Sequence, residues 1–149
     1  IQLVQQDVAN KNIDFKIHTE NDACSVFVDP DRLSQCLLNL YLNAIQAMES
    51  GGTLTVKCTV DKTDKVNIIV SDTGKGIPSE QLKKIFDPYF TTKNKGTGLG
   101  LAIVHKIIEA HEGHIEVNST IDEGTSVLIR IPCEQKQTSE GQNGKSKND

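Results

Sequence analysis

The chain has 149 residues, 36% hydrophobic and 24% charged, with a formal net charge of −4. That length and balance suit one globular domain able to bury a core, and exclude the compositions of disordered or membrane-embedded chains. The acidic balance argues against nucleic acid as a partner, because phosphate backbones are met by basic patches.

Weak helical spacing marks residues 1–11 (Leu3, Val4, Val8), and the apolar alternation of 13–17 and 24–28 predicts two short strands. Asp29-Pro30-Asp31 opens a helix, which runs to about Met48 and is stopped by Ser50-Gly51-Gly52. Residues 53–60 alternate at Leu54, Val56, Cys58 and Val60, and 65–71 at Val66, Ile68 and Val70, a hairpin around 61–64. A short helix is expected over 79–85, then a polar, Gly-containing loop over 87–98. A further helix over 99–110 takes its spacing from Ala102, Ile103, Lys106, Ile107 and Ala110. Strands 114–119 and 125–131 follow around Asp122-Glu123-Gly124.

This interleaved order predicts an α+β fold, a two-layer α/β sandwich in which helices cover one face of a mixed β-sheet. From Glu134 onward the sequence EQKQTSEGQNGKSKND has no apolar residue. It has nothing to bury against its ordering entropy, so the domain is assigned to 1–133 and 134–149 to a disordered tail. No apolar run approaches the roughly 20 residues of a membrane span, and no charged-then-apolar leader opens the chain. Beginning at Ile1, it reads as a fragment of something longer.

Cys24, Cys36, Cys58 and Cys133 are far apart and form no Cys-x-x-Cys pair. They are read as small apolar residues in a reducing compartment, neither disulfide-bonded nor zinc ligands. His111-Glu112-Gly113-His114 lacks the spacing that puts two imidazoles on one helical face, so no metal is assigned there.

The helix of residues 31–48 is apolar nearly all round. At about 100° per residue, Gln35, Asn39, Asn43 and Gln46 fall within an arc of roughly 80°. Such a helix is expected to be buried, and buried amides need partners. Four on one stripe favour a ligand over neighbouring backbone. Amide oxygens are neutral hard ligands suited to magnesium among phosphates, and their NH₂ groups donate to phosphate oxygens.

Two glycine-rich segments add to this. Ser71-Asp72-Thr73-Gly74-Lys75-Gly76-Ile77 follows an apolar strand, and its carboxylate can accept from an exocyclic amine such as adenine N6. Alone it is equally an ordinary Asp-initiated turn. Lys95-Gly96-Thr97-Gly98-Leu99-Gly100-Leu101 lacks the Gly-Lys-Ser/Thr ending of a P-loop and the strand that precedes a dinucleotide fingerprint. It does feed a helix N-terminus, where free N–H groups favour phosphate. The long loop before it has the character of a lid or binding loop.

Taken in order, these segments resemble the GHKL-type (Bergerat) nucleotide-binding domain of bacterial sensor histidine kinases. Asn39-x-x-x-Asn43-Ala44 resembles the N box and Asp72-x-Gly74-x-Gly76 the G1 box. Phe86-Asp-Pro-Tyr-Phe90-Thr-Thr-Lys93 resembles the F box, and Gly96-Thr-Gly98-Leu-Gly100-Leu101 the G2 box. The wording Asn-Ala-Ile-Gln-Ala-Met with Phe-Thr-Thr-Lys is similar to the nitrogen-regulator-type subclass, and Asp29-Pro-Asp-Arg-Leu followed by Leu40-Tyr-Leu-Asn-Ala-Ile-Gln-Ala resembles, within it, the zinc-resistance-associated sensor kinases.

The resemblance implies ATP and magnesium as ligands. Asp72 would bind the adenine amine, with Gly74, Gly76, Ile77 and Thr125 nearby. Asn39 and Asn43 would hold magnesium through the phosphates. Phe90, Thr92, Lys93, Gly96, Thr97, Gly98, Leu99, Gly100 and Leu101 would complete the ATP site, with residues 91–101 closing over the nucleotide. It also implies transfer of the γ-phosphoryl group to a histidine, a response regulator downstream, and a homodimeric parent anchored in the inner membrane with this domain in the cytoplasm.

One position departs from the family: Gln46 stands where many members have a phosphate-reaching Lys. No catalytic residue is assigned, because the family's acceptor sits in a helix as His-Glu/Asp followed by Pro about three or four residues later, whereas His18 is expected on a strand, His105 on the helix after the loop, and His111 and His114 at a helix-to-strand turn. The accepting dimerisation domain is expected elsewhere. The alternatives are an ATPase motor of the same fold, which would carry a Glu where Asn39 stands, and a non-catalytic nucleotide-sensing module.

Overall fold

The computed structural model describes residues 2–20, 24–90 and 100–134. Its elements run α1 (Gln2–Asn10), β1 (Asp14–Thr19), α2 (Pro30–Ala47), β2 (Thr53–Val60), β3 (Lys65–Asp72), α3 (Ser79–Leu82), α4 (Gly100–Ala110), β4 (His114–Thr120) and β5 (Gly124–Pro132). The strands form one sheet in the order β1-β2-β3-β5-β4. β1 and β2 are parallel because α2 crosses between them, and the other neighbours are antiparallel.

Cross-strand register explains the core. Val56, Val70, Val127 and Val117 form one row, and Cys58, Ile68, Ile129 and Ile115 the next. Period-2 alternation puts these rows on one face, where α2 and α4 cover them. Leu54, Ile129 and Val104 are fully buried there, and each such side chain contributes about 1.5–3 kcal/mol. The opposite face is polar: Ser71 Oγ lies 2.9 Å from Ser126 Oγ, and Arg130 reaches Asn67 and Glu116 at 3.3 and 3.4 Å.

α2 is capped at both ends. The Asp29 carboxylate accepts from the N–H groups of Asp31 (3.0 Å) and Arg32 (3.3 Å), with Pro30 as the first helical residue. At the other end Lys11 Nζ donates to the carbonyls of Ile45 (3.0 Å) and Met48 (3.2 Å). A cation there also complements the helix dipole.

Four expectations are corrected. Residues 24–28 are not a strand: the segment runs past the end of β5, which already has β3 and β4 on its two sides, so no strand edge is open to it. It makes one backbone bond there, from Glu134 N–H to Ser25 O (2.7 Å). In the same place Cys24 and Cys133 form a disulfide with their Cα atoms 6.0 Å apart. The 109 residues between them hid a contact that the fold creates. Third, the amide stripe of α2 is not buried: Gln35 and Gln46 are exposed, and Asn39 and Asn43 half-buried. Cys36 and Cys58 are free thiols, and burial pushes the Cys36 thiol up to about 11. The expected helix over 79–85 is confined to α3, with turns after it. The assigned tail lies outside the described residues from position 135 onward.

Replacing Lys11 with Met removes both bonds to the end of α2 while keeping an apolar stem. A loss of about 1–2 kcal/mol is expected, read as a lower urea midpoint at unchanged slope. A midpoint equal to that of the parent would show that Lys11 does not hold the helix end.

Candidate functional site

The apolar rows of the sheet end in a polar one. Asp72 on β3 is the register partner of Thr125 on β5, and Thr125 is the partner of Ser119 on β4, so three polar side chains continue the row begun by Leu54. Asp72 Oδ1 accepts from the N–H groups of Gly74 (2.8 Å) and Thr125 (3.3 Å). Burial against the apolar layer raises the pKa of this carboxyl above the ordinary 3.8, and the two N–H bonds pull in the other direction. Ser119 Oγ accepts from Ile77 N–H (2.7 Å), donates to Gly124 O (3.0 Å) and lies 2.8 Å from Thr125 Oγ1.

The turn after Asp72 is wedged between α2 and the β4–β5 turn. Gly74 is buried, and a Cβ on it would stand 2.5 Å from the Ala47 carbonyl oxygen. The same carbonyl accepts from Lys75 N–H (3.1 Å), and Lys75 O accepts from Asp122 N–H (2.9 Å). Gly76 has φ +73°, and a Cβ there would strike the Thr120 carbonyl. Both glycines are therefore required by geometry. Ala47 lies one helical turn beyond Asn43, and Asn43 one turn beyond Asn39. The amide stripe thus leads along a single helix face to the glycine turn.

Asp72, Gly74, Ile77 and Thr125 are joined through hydrogen bonds in one cluster, and Gly76 sits in the same turn. Asn39 and Asn43 approach along α2. Phe90 is half-buried, as are Gly100 and Leu101 at the start of α4. That start is held beside the turn following α3 by the rings of Phe86 and His105, 5.1 Å apart. A Cβ on Gly100 would meet nothing within 4 Å, so packing among the described residues does not demand glycine there. Thr92, Lys93, Gly96, Thr97, Gly98 and Leu99 lie outside the described residues.

Ser119 escaped the sequence reading, as did the backbones of Ala47 and Asp122. For Ser119 the signal was hairpin register: once β4 and β5 turn at 121–123, Ser119 must face Thr125. The histidines of the His111–His114 stretch have other partners: His111 Nε2 accepts from Asp29 N–H (3.0 Å), and His114 pairs with Glu116 (3.2 Å). A cleft of about 680 Å³ bordered by Phe27, Asp29, His111 and Cys133 opens at the other end of α2, away from the glycine turn.

Residues 28–135 match the family described as "Histidine kinase-, DNA gyrase B-, and HSP90-like ATPase". The chain is 47% identical over 137 residues to the sensor histidine kinase ZraS of Salmonella typhi, covering 92% of this chain and 30% of that protein. It thus spans less than a third of the length of that curated relative. Among solved structures, the nucleotide-free catalytic domain of histidine kinase ThkA superposes with a TM-score of 0.78 at 39% identity, over 88% of this chain and 86% of that one. ThkA in complex with the response regulator protein TrrA matches at 0.73 and 36% identity, over 88% of this chain and 37% of that one.

The raised pKa of Asp72 has a sign that can be measured. A carboxyl whose folded value is raised adds stability below its unfolded value, near 3.8, and loses it as the pH rises through the folded value. Asp72→Asn removes that loss. The variant is expected to melt at or above the parent at pH 7, with the advantage shrinking toward pH 4. A variant less stable than the parent at pH 7, with no such pH trend, would contradict the burial argument.

Proposed function

Since the chain belongs to the histidine kinase-, DNA gyrase B- and HSP90-like ATPase family, with histidine kinase catalytic domains among its near relatives, we propose that it binds ATP with magnesium and donates the γ-phosphoryl group to a histidine. The observation that carries this reading is the convergence of two features on one glycine turn: the Asp72–Thr125 polar row and the Asn39–Asn43 stripe.

The residues suit the ligands. Asp72 is an acceptor at the edge of an apolar layer, as an adenine amine requires, and the close-packed turn at Gly74 and Gly76 presents a backbone surface to a flat base. The half-buried amides of Asn39 and Asn43 suit a magnesium ion that brings its own phosphates. Magnesium, when bound, supplies neutralisation of phosphate charge. With Gln46 exposed instead of a lysine, Lys93 and the amides of residues 96–101 supply the remaining phosphate contacts. Phe90 and Thr92 are assigned to the same nucleotide site. In the transfer the bond from the γ-phosphorus to the ADP oxygen breaks as a bond to an imidazole nitrogen forms. This chain contributes position and charge, which carry most of such catalysis.

None of the four histidines is placed as an acceptor helix would place it: His18 lies on β1, His105 on α4, His111 in a turn and His114 at the start of β4. The acceptor belongs to a dimerisation domain of the parent, which we take to be a homodimeric sensor with a response regulator as its downstream partner. No helix of the described residues is long and apolar enough to cross a membrane, and ATP supply places this domain on the cytoplasmic side of an inner-membrane parent. Asn39 favours the kinase over a motor ATPase, since an amide is a poor base for activating water.

Calorimetric titration with ATP, with and without magnesium, tests the site. Asp72→Asn should weaken binding by about tenfold to a hundredfold, the worth of a bond to a charged acceptor, while Asn43→Asp should weaken it most without magnesium. If neither change weakens binding, the site assignment fails. With labelled ATP the chain alone should gain no acid-labile phosphate, and a dimerisation-and-histidine segment supplied in trans should gain it. Rapid steady phosphate release would favour the motor, and silence in trans the sensing module.

A further inference from the structure

We infer that Ser119 is the positioning residue that makes Thr125 an obligate hydrogen-bond acceptor and thereby selects a 6-amino over a 6-oxo purine. The inference rests on the adenine reading above and adds to it a residue and a reason for the choice of base.

The argument is a count of protons. Three polar groups surround Ser119 Oγ: Ile77 N–H at 2.7 Å, Gly124 O at 3.0 Å and Thr125 Oγ1 at 2.8 Å. A backbone N–H only donates and a carbonyl only accepts, whereas a hydroxyl has one proton to give and lone pairs to accept with. Ile77 therefore donates to Ser119, and the Ser119 proton goes to Gly124 O. Sending it to Thr125 instead would leave two oxygens 3.0 Å apart with no proton between them. The bond between the hydroxyls must then run from Thr125 to Ser119, and the single Thr125 proton is consumed inside the protein.

What remains on Thr125 Oγ1 is lone pairs. Asp72, its register partner on β3, is also acceptor-only when ionised, and its two backbone donors both fall on Oδ1. The row accordingly presents acceptors and no side-chain donor. An exocyclic amine satisfies it; a carbonyl at the same ring position meets lone pairs with lone pairs. Rejecting a group in this way discriminates more sharply than adding contacts. A free threonine hydroxyl would simply rotate to donate to the carbonyl, so the share of the discrimination that Thr125 adds to that of Asp72 depends on Ser119.

The test compares ATP with inosine triphosphate, which has a carbonyl in place of the 6-amine, in magnesium-containing binding titrations of the intact chain. The parent is expected to prefer ATP by at least about tenfold. Ser119→Ala frees the Thr125 proton and should narrow that ratio about five- to tenfold, the worth of one hydrogen bond. Ser119→Thr, which keeps the hydroxyl, should restore it. In a Thr125→Val background, Ser119→Ala should leave the ratio unmoved. A merely structural role would lower both affinities alike, so an unchanged ratio in folded Ser119→Ala overturns the inference. A ratio that narrows equally without the Thr125 hydroxyl also overturns it. If the alanine variant does not fold, Ser119→Cys, whose sulfur is a weak acceptor, is held to the same expectation. A parent that binds both nucleotides equally defeats the adenine reading together with the inference; a preference for ATP that stays as large without the Ser119 hydroxyl defeats the inference alone.

Discussion

The Asp72 carboxylate accepts two backbone N–H groups on one oxygen, at the point where a face of valine and isoleucine side chains ends. Burial works against its charge, and the Gly74 and Thr125 amides offset part of that penalty. The surrounding geometry serves to keep this charge usable. Register must be held across β3, β5 and β4, because a slip of one residue would turn Asp72 and Thr125 to the open face. The chain must also double back at once to bring the Gly74 amide onto Oδ1, and the neighbouring α2 carbonyl leaves no room for a Cβ there.

That carbonyl, Ala47 O, joins the two halves of the site. It accepts from Lys75 N–H and packs on Gly74, fixing the glycine turn to the last turn of the helix that carries Asn39 and Asn43. The position of α2 along its axis therefore sets the distance between the Asp72 row and the two amides. Asp29 caps one end with its side chain, and Lys11, borrowed from the end of α1, holds the other. Cys36, Leu40, Ala44 and Ile45 on its buried side resist rotation. A helix constrained along and around its axis can leave amides half-exposed without losing their placement.

Much of this was legible in the sequence because it follows from periodicity. Alternation at Leu54–Val60 and Val66–Val70 set the core rows, and Asp29-Pro30 marked where α2 begins. The four motifs were readable as types and in order. What was not legible depends on contacts between distant segments. The 24–28 alternation is real, yet a strand needs an open edge, and only topology reveals that β5 has none. The amide stripe was read as buried because apolar residues nearly encircle the helix, but α2 packs on only part of its circumference. Ser119 carries no motif, and its role emerges from the register that sets it opposite Thr125.

The disulfide poses the hardest question, since a cytosolic thiol pool reduces most such bonds and ATP belongs to that compartment. Its position answers it. The bond links the segment entering α2 to the exit of β5, next to the Phe27 cleft and at the end of α2 away from the glycine turn. Without it, the same segment keeps the bond from Glu134 N–H to Ser25 O and that from Asp29 N–H to His111 Nε2. The Asp29 cap also stays on α2, because its two bonds are local to the helix. In chain-entropy terms, closing a loop of about 100 residues restricts the unfolded chain by up to about 4.7 kcal/mol, an effect on the unfolded ensemble. It need not alter the folded site. Asp72, Ser119 and Thr125 are held by strand register and Asn39 and Asn43 by a helix fixed at both ends, and none of these contacts runs through the two sulfurs.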